Sequence, residues 1–381
     1  MKIAVNTRFL LAGKLEGFGK FTSEIFKRVV QNHPEHTFYF LFDRPFSDEF
    51  IFAGNVKPVV LYPPARHPLL MYIWYQHRVK AFLEKEKIDV FVSPDGQTCL
   101  RTKVPTVTVM HDLAFEHFPE QLPFADRLYL QYLSPEFARK STQIVTVSEF
   151  TKQDISEKYD IDKNKISIVY NAAGTVFSPA TDKEKTDFTN HINLGGEYFL
   201  YVGAIHPRKN LVRVLQAYEQ FRTVTGINIK LVIVGRKAWK AGKLEEVYSA
   251  MHFKDDVNFS GRLTDQELRL AYASAKALVY VPLLEGFGIP VVEAQQCHCP
   301  VITSNVSSLP EVAGAGALQV DPFSVDKIAA AMARVVSEKG LREKLTDLGK
   351  ENARRFSWNH SAVRMWEAIE KAASIKNAPV T

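Results

Sequence analysis

The stretch Leu284-Glu285-Gly286-Phe287-Gly288-Ile289-Pro290-Val291-Val292-Glu293 decides how the rest of the sequence is interpreted. The mostly apolar run 275–281 precedes it and predicts a buried strand, whereas the run 291–297 predicts a helix. Glycine permits a sharp turn and a close approach of the backbone to a ligand. Pro290 suits a helix start because its missing N–H would be unpaired there. Since the free N–H groups of a helix start attract phosphate, the stretch predicts a strand–turn–helix unit with an anion site.

Two carboxylates bracket this predicted anion site. Glu285 stands directly before the turn, and Glu293 follows about one turn into the helix. Carboxylates are poor partners for phosphate but good acceptors for hydroxyl groups. A ligand that carries both groups, such as a nucleotide diphosphate sugar, therefore fits the whole pattern. The alternative is a plain strand–turn–helix link with two solvated acids.

The pair of carboxylates also resembles a known motif. Glu285 and Glu293, with seven residues between them and Gly-Phe-Gly-Ile-Pro inside, resemble the E-x7-E motif of family 4 glycosyltransferases. The resemblance implies the α/β GT-B fold: two facing Rossmann-like domains with a cleft between them and a C-terminal helix that crosses back to the first domain. It also implies retaining chemistry that needs no metal ion.

Domain limits follow from the same resemblance. We expect an acceptor domain over residues 1–175, a nucleotide-sugar donor domain over 176–357, and a helix over 358–375 that packs back on the first domain. The polar stretch 177–193 is interpreted as the link between the domains.

Composition sets the class of protein and of partner. The 381 residues are 46% hydrophobic and 24% charged, which is typical of a soluble protein of two domains. A net charge of +6 favours anionic partners, but the basic residues are scattered and no recognition motif indicates nucleic acid. The three cysteines do not suggest a disulfide framework, and the pair Cys297 and Cys299 lacks the further ligands of a metal site.

The absence of a signal peptide or a long apolar run predicts a cytoplasmic protein. One aromatic-rich stretch, 69–75, is followed by basic residues and has two interpretations. It predicts either contact with a lipid-linked acceptor or with the anionic inner face of a membrane, or a core-facing helix with a basic outer side.

The N-terminal segment gives a weaker phosphate-binding signal. A strand over 2–6 is followed by Gly17 and Gly19 and then by helical spacing over 21–30, and a second strand ends at Asp43. This pattern permits a dinucleotide-binding interpretation with Asp43 on a ribose, as in an NAD-dependent dehydrogenase. The family resemblance instead implies that Gly17 and Gly19 lie in the cleft near the donor diphosphate or the acceptor.

His111 and Asp112 follow directly after the predicted strand 105–110. Catalytic groups of open α/β sheets sit at the carboxyl ends of strands. The family carries a functional histidine here, and the run 111–119 resembles its mannosyltransferase-like members, with Asp112 on the acceptor side. The alternative is a hydrogen-bonded structural histidine.

Arg208 and Lys209 follow another predicted strand, 197–203, and two adjacent cations at a helix start suit a diphosphate. The alternative is a basic pair on the surface. Many family members carry Arg directly after the glycine that ends this strand, where this chain has Ala204. Arg208 is expected to take over part of the role of that arginine in binding the donor diphosphate.

Three helix ends are also predicted from local pattern. Ser148 is expected to cap one helix, and Thr264 with Glu267 to form a capping box at another. His298 stands where the family has glycine, so we expect a left-handed residue at that helix end, for packing rather than chemistry.

The resemblance assigns catalytic roles to His111, Glu285, Arg208 and Lys209. Glu293 is expected to bind ribose, and Glu285 the sugar ring, with a nucleophilic role as its alternative. The full set of donor contacts is Gly17, Gly19, Gly203, Arg208, Lys209, Gly261, Arg262, Glu285, Gly286, Phe287, Gly288, Ile289 and Glu293.

The predicted function is transfer of a sugar, with mannose from GDP-mannose as the best guess, to a hydroxyl of a glycan or lipid-linked glycan. No cofactor is expected besides the nucleotide sugar. The competing hypotheses are a GT-B-fold sugar-nucleotide epimerase, an NAD-dependent dehydrogenase and a noncatalytic sugar-nucleotide sensor.

Overall fold

A computed structural model describes the chain except Glu16 and residues 192–195, 236–241 and 377–381. The described residues divide into two compact units. Unit 1 comprises Met1–Asn171 and the C-terminal segment from Trp358, and unit 2 comprises Ala172–Ser357. The boundary thus follows Asn171, whereas the sequence pattern was interpreted with a boundary after residue 175.

Unit 1 is built on a parallel sheet, in which seven strands can be described, in the order β3-β2-β1-β4-β5-β6-β7. Because helices cover both faces of such a sheet, its central strands β4 and β5 are buried from end to end, whereas the edge strand β3 is exposed at Lys57 and Pro58. The strands are β1 (Lys2–Asn6), β2 (Thr37–Phe42), β3 (Val56–Val60), β4 (Val90–Ser93), β5 (Thr106–Met110), β6 (Gln143–Thr146) and β7 (Ile166–Ile168).

Helices connect these strands. They are α1 (Phe18–Asn32), α2 (Pro68–Ile73), a π-helical turn (Trp74–Val79), α3 (Lys80–Lys85), α4 (Ala114–His117), α5 (Phe124–Lys140) and α6 (Glu149–Tyr159), with short 3-10 turns at Asp48–Phe50, Pro119–Gln121 and Lys163–Lys165. Helix α1 begins at Phe18, three residues before the predicted spacing, because Gly17 is its N-cap with φ 44°.

Two residues of the aromatic stretch 69–75 are buried in the core of unit 1. Trp74 and Tyr75 are fully buried, and they pack in a cluster beneath the sheet with Leu83. The core interpretation is therefore confirmed for these two aromatic residues. Leu69, at 63% exposure, is the prominent apolar residue on the outer side of the stretch.

Unit 2 repeats the architecture with a parallel sheet whose six described strands run in the order β10-β9-β8-β11-β12-β13. The strands are β8 (Tyr198–Val202), β9 (Lys230–Val234), β10 (Val257–Gly261), β11 (Ala277–Tyr280), β12 (Val301–Ser304) and β13 (Ala317–Val320). The helices are α7 (Asp182–His191), α8 (Leu211–Thr225), α9 (Lys243–Ala250), α10 (Asp265–Ser274), α11 (Ile289–Gln296), α12 (Leu309–Ala313), α13 (Val325–Ser337) and α14 (Leu341–Ala353), with 3-10 turns at Pro207–Lys209, Lys254–Asp256 and Gly314–Gly316.

The polar stretch 177–193 was wrongly interpreted as a plain link, because most of it is helix α7. Polar composition concealed the helix, which buries Phe188 and also forms ionic contacts with the rest of unit 2. Arg269 donates to Glu184 of α7 at 3.0 Å and to the backbone carbonyl of Pro179 at 2.8 Å.

The three predicted helix ends are confirmed. Ser148 Oγ accepts from Thr151 N at 3.1 Å, and Thr264 and Glu267 form the reciprocal capping box of α10. His298 adopts φ 60° directly after the end of α11.

The C-terminal helix α15 (Trp358–Lys376) belongs to unit 1. Trp366 stacks on His33 with ring centroids 3.7 Å apart, and Ser361 Oγ donates to the carbonyl of Tyr170 at 2.6 Å. Among the described helices, none has the length and apolar character needed to cross a membrane.

Candidate functional site

The loop between β11 and α11, which carries Glu285, is held from behind by two serines. Ser308 Oγ lies 2.9 Å from the carbonyl oxygens of both Glu285 and Phe287, and Glu285 N donates to Ser307 Oγ at 3.2 Å. Gly288 is the N-cap of α11 with φ 100°, and a Cβ at this position would lie 2.5 Å from Leu309. The glycine is therefore required both by its backbone conformation and by close packing.

Glu285 meets the two predicted cations. Its Oε1 lies 2.5 Å from Lys209 Nζ and 3.8 Å from Arg208 Nη1. Lys209 Nζ also donates to the hydroxyl of Tyr280 at 2.9 Å. Burial raises the pKa of Tyr280 well above its ordinary value, and the neighbouring Glu285 carboxylate adds to this shift, so the hydroxyl keeps its proton. The three charged side chains form one cluster after the carboxyl ends of neighbouring strands β8 and β11, with Glu285 buried and the two cations partly exposed.

The backbone of the 204–210 loop is tied to the Glu285 loop. Arg208 Nη1 donates to the carbonyl of Leu284 at 3.0 Å, and Leu283 N donates to the carbonyl of Arg208 at 2.9 Å. Asn210, which is buried with φ 62°, donates to the carbonyls of Val281 and Pro322 at 2.9 and 2.7 Å. These bonds fix the spacing between the cations and the carboxylate.

His206 begins the same loop, and its ring accepts a hydrogen bond from Arg208 N at 3.4 Å. Burial lowers the pKa of His206, and the positive charges of Arg208 and Lys209 lower it further. The histidine is therefore neutral near pH 7, and it does not compete with the two cations for an anion.

Glu293 lies on the first turns of α11 and is 5% exposed. Tyr272 donates to Glu293 Oε2 at 3.1 Å. Burial raises the pKa of Tyr272, and the Glu293 carboxylate raises it further, so Tyr272 remains a donor. The contact fixes the carboxylate in one orientation.

The remaining predicted donor residues of unit 2 follow the ends of its strands. Gly203 N donates to Val234 O at 3.0 Å and Gly235 N to Gly261 O at 2.9 Å, and a Cβ on Gly235 would lie 2.1 Å from Gly203 O. Gly261 has φ 77°, and Arg262 after it is exposed. Gly286, Phe287 and Ile289 lie in the Glu285 turn, where Phe287 packs edge-on against Phe356.

In unit 1, His111 follows β5 and packs between two aromatic rings. Phe18 and Phe21 have ring centroids 4.7 and 4.9 Å from the imidazole. Its Nε2 lies 3.0 Å from the carbonyl oxygen of Pro94. Since a carbonyl can only accept, Nε2 carries the proton and Nδ1 is left as an acceptor. Burial lowers the pKa of His111, so the imidazole is neutral near pH 7.

The predicted glycine loop supports this histidine. Gly17 caps α1, and the helix presents Phe18 to the ring. Gly19 lies in the first turn, where a Cβ would meet the carbonyl oxygen of Phe9 at 2.4 Å. Gly17 is thus needed for its positive φ and Gly19 for close packing, while their predicted contact with a donor stays a prediction.

A pocket of about 310 Å³ opens at this edge of the sheet. Both His111 and the predicted acceptor-side residue Asp112 line it, and Asp112 Oδ1 accepts from Ala114 N at 3.0 Å. The other lining residues are Arg8, Phe9, Phe18, Met71, Asp95, Gly96, Gln97, Met110, Leu113, Phe115, Leu122, Asp126, Tyr129, Leu130 and Ser134.

A buried polar network beneath the pocket was not predicted. Arg8 Nε donates to Asp95 Oδ2 at 2.6 Å, and Tyr75 donates to both oxygens of Asp95 at 2.7 Å. Asn6 Nδ2 donates to Asp95 Oδ2 at 2.9 Å and to Ser93 Oγ at 3.1 Å. Asn6 and Ser93 end strands, Tyr75 lies in a helical turn, and Arg8 and Asp95 each follow a strand by two residues. Because these positions are far apart in the sequence, no local pattern indicates that their side chains meet.

The acid of the dinucleotide interpretation, Asp43, has a structural role. Asp43 has no exposed surface, and both of its oxygens accept from Arg44 at 2.6 Å. It also accepts from the backbone N of Ala65 at 2.8 Å. Both oxygens of Asp43 already accept hydrogen bonds from this chain, which weakens the interpretation of the protein as an NAD-dependent dehydrogenase.

Comparison with known proteins connects this geometry to a family. The model described as Glycosyltransferase Family 4 matches residues 17–175, and the one described as Glycosyl transferases group 1 matches residues 182–354. The chain is 31% identical over 265 residues to O-antigen chain mannosyltransferase B of Escherichia coli, covering 69% of this chain and 70% of that protein. It is also 31% identical over 258 residues to O-antigen chain mannosyltransferase RfbU of Salmonella typhimurium, covering 67% of each.

The fold has solved counterparts. Sucrose-phosphate synthase from Thermosynechococcus elongatus superposes with a TM-score of 0.79 at 16% identity, over 98% of this chain and 99% of that one. Together with the two parallel sheets, this confirms the predicted fold class. The chain therefore belongs to the family 4 glycosyltransferases, with the GT-B fold and a mannosyltransferase-like sequence.

Proposed function

We propose that this glycosyltransferase transfers mannose from GDP-mannose to a hydroxyl of a glycan or lipid-linked glycan, with retention of the anomeric configuration. The observation that carries the proposal is the cluster of Arg208, Lys209 and Glu285, with Glu293 on the adjoining helix. It offers cations for a diphosphate and carboxylates for hydroxyl groups. The choice of mannose rests on the two mannosyltransferase relatives.

During the transfer, negative charge develops on the departing diphosphate and positive charge on the anomeric carbon. The bond between the anomeric carbon and the β-phosphate oxygen breaks, and its electron pair leaves with GDP. The acceptor hydroxyl oxygen forms the new bond to the anomeric carbon on the same face, and its proton passes to the departing phosphate oxygen. Arg208, Lys209 and the N–H groups at the start of α11 stabilise the negative charge that grows on the diphosphate, and such preorganised groups typically contribute about 3–4 kcal/mol each.

Glu293 binds the ribose hydroxyls, and Glu285 holds the sugar ring once the diphosphate competes for Lys209. His111 accepts a hydrogen bond from a sugar hydroxyl through Nδ1. The two cations take the place of a metal ion at the diphosphate, so the reaction is proposed to proceed without one. In the part of the chain that the structure describes, no group of three or more His, Cys, Asp or Glu side chains is arranged to hold a metal ion.

Turnover with purified protein tests this function. GDP-mannose, GDP-glucose, UDP-glucose and UDP-galactose are offered with a glycan acceptor in the presence and absence of EDTA, and the product anomer is read by NMR. We expect GDP-mannose to give the highest kcat/KM, with EDTA without effect and an α-linked product. A β-linked product would exclude retention, and epimerised nucleotide sugar without acceptor would favour the epimerase.

Peripheral contact with an anionic membrane is a further part of the proposal. Leu69 and Phe124 are 63% and 68% exposed, and Arg127 lies over the Phe124 ring at 5.6 Å. Apolar side chains beside a cation suit the headgroup region of such a membrane. Flotation with vesicles containing anionic lipid should retain the protein, and a Leu69→Ser, Phe124→Ser variant should bind less; equal recovery with neutral vesicles would contradict this part.

A further inference from the structure

The pocket of unit 1 is lined by two side-chain donors that lack strong acceptors. Arg8 is 6% exposed, and its Nε and Nη1 donate to Asp95 and to the carbonyl of Ala65. Its Nη2 has no acceptor among the residues that the structure describes, and it is not one of the fully buried polar atoms that lack a partner, so this nitrogen is accessible. Gln97 is 5% exposed, and its Nε2 faces the thioether sulfur of Met71 at 3.6 Å, a weak acceptor. Two such donors in one lining point to a ligand that supplies oxygen acceptors.

The network beneath the pocket holds these donors in place. Asp95 accepts from Asn6, Arg8, Tyr75 and Ser93 and from the backbone N of Gln97. The lone pairs of the Asp95 carboxylate thus all accept hydrogen bonds from the chain, and its negative charge is paired with Arg8, whose Nε lies 2.6 Å from Oδ2. Gln97 Oε1 in turn accepts from Tyr129 at 2.8 Å, which directs the amide nitrogen of Gln97 the other way. Both donors are therefore preorganised before any ligand arrives.

The charge of the lining excludes one class of ligand. Asp95 neutralises Arg8, whereas Asp126 adds a further carboxylate to the same lining. The lining therefore carries an excess of negative charge, and a carboxylate or phosphate on the ligand would be repelled. Carboxylates accept hydrogen bonds from hydroxyl groups, and the apolar rings of Phe9, Phe18 and Tyr129 cover the remaining wall.

Donors, acceptors and apolar rings side by side match a ring that carries several hydroxyls. A volume of about 310 Å³ is near the lower end of the range of small-molecule sites, which leaves room for one such ring rather than a chain. We propose that this pocket binds an uncharged pyranose ring of the acceptor and rejects anionic sugars, with Arg8 and Gln97 as the donors that select it. The inference rests on the proposed transferase function and specifies its acceptor.

The first experiment measures binding without any donor. Methyl glycosides of mannose, glucose, galactose and N-acetylglucosamine are titrated into the intact protein by saturation-transfer NMR, each beside the matching 6-carboxylate. We expect at least one neutral glycoside to bind, and its 6-carboxylate to bind at least about tenfold more weakly. Binding of no neutral glycoside, or equal binding of the carboxylate, would overturn the proposal. GDP-mannose turnover is scored separately, so its failure would count against the donor alone.

Variants then test the two donors. Gln97→Ala should raise the KM of the best neutral glycoside about fivefold, with kcat and the donor KM nearly unchanged. Arg8→Lys keeps the positive charge opposite Asp95 but loses the planar guanidinium with its several N–H donors. It should therefore also raise the KM of the neutral glycoside. If both variants changed only thermal stability, with acceptor KM as in the parent, the donors would be structural and the proposal wrong.

A charge variant tests the discrimination itself. Asp126→Asn removes one carboxylate from the lining and should improve relative binding of the 6-carboxylate about threefold. Glu136→Gln is the matched control, because it removes a carboxylate from the exposed side of the same helix α5, where it pairs with Arg139. Equal effects of the two variants, or none from Asp126→Asn, would contradict the assigned origin of the selectivity.

Discussion

Each unit contains an ion pair near the carboxyl edge of its sheet, and the two pairs differ in burial and in the number of hydrogen bonds that the chain gives the carboxylate. In unit 1, Asp95 faces Arg8 at 2.6 Å and also accepts from Asn6, Tyr75 and Ser93. In unit 2, Glu285 faces Lys209 at 2.5 Å, with Arg208 Nη1 at 3.8 Å, and both cations are partly exposed. The first, closed pair positions neighbouring groups of the protein, whereas the second is the pair that we propose to exchange partners with a ligand.

The largest expected effect comes from breaking the closed pair. Asp95→Asn leaves the buried charge of Arg8 uncompensated, so the free energy of unfolding should fall by about 3–5 kcal/mol, measured by denaturant titration. The control is Glu136→Gln, which breaks an ion pair of similar length, 2.7 Å to Arg139, in which both side chains are more than half exposed. That control should cost about 1 kcal/mol or less. Equal losses would show that the network around Asp95 adds nothing.

The exchangeable pair should matter for catalysis more than for folding. Lys209→Ala removes a cation from the proposed diphosphate site, so kcat should fall about 10²–10³-fold in steady-state assays with GDP-mannose. Lys276→Ala is the matched control, because it removes a lysine that pairs with Glu197 away from the cluster. Full turnover by the Lys209 variant would show that its pair with Glu285 is structural, like the pair in unit 1.

A smaller effect is expected from the carboxylate on α11. Glu293→Gln keeps an acceptor for Tyr272 but loses the charge, so GDP affinity should fall about tenfold by calorimetry. The parent should also distinguish GDP from 2′,3′-dideoxy-GDP, and the variant should do so less. If both nucleotides lost affinity equally in the variant, Glu293 would not bind the ribose.

The smallest effect concerns pH. Burial lowers the pKa of His111, so the folded state holds the ring neutral while the unfolded chain takes up a proton below its ordinary value of about 6.5. Stability should therefore fall as pH drops below about 6.5, by at most about 1.4 kcal/mol per pH unit from this residue. His111→Gln should flatten that slope in unfolding titrations from pH 7 to 5, whereas His360→Gln, at an exposed site, should not.

The comparison also shows which features the sequence could predict. Short strands followed by Gly, Arg-Lys or Glu indicated a parallel sheet with polar groups at one edge, and the pairing of β8 with β11 places Lys209 beside Glu285. Helix caps were predictable because Ser148 and Thr264 act within a few residues. The functional roles of these site residues stay predictions.

What escaped prediction depends on distant contacts. Tyr280 and Tyr272 stand in apolar or mixed runs, and nothing local distinguishes them from core residues. Asp95 meets Asn6 and Tyr75 across sequence separations of 89 and 20 residues. Helix α7 was missed for the opposite reason, since its polar sequence is typical of a link although Arg269 holds it in place.

The π-helical turn at Trp74–Val79 has a consequence for insertions and deletions. Its wider spacing lets three consecutive side chains, Trp74, Tyr75 and Gln76, all be buried; Trp74 bonds to the carbonyl of Leu61, and the other two bond to the loop that contains Asp95 and Thr98. Because a π-helical turn holds one residue more than an α-helical turn, deleting one residue and restoring the α-helical pitch would leave α3 in nearly the same orientation relative to α2. Leu83 would stay in the core, whereas one of the three buried, hydrogen-bonded positions would be lost. The segment should therefore tolerate a one-residue deletion as a helix and still lose part of the contact between this helix and the loop of Asp95.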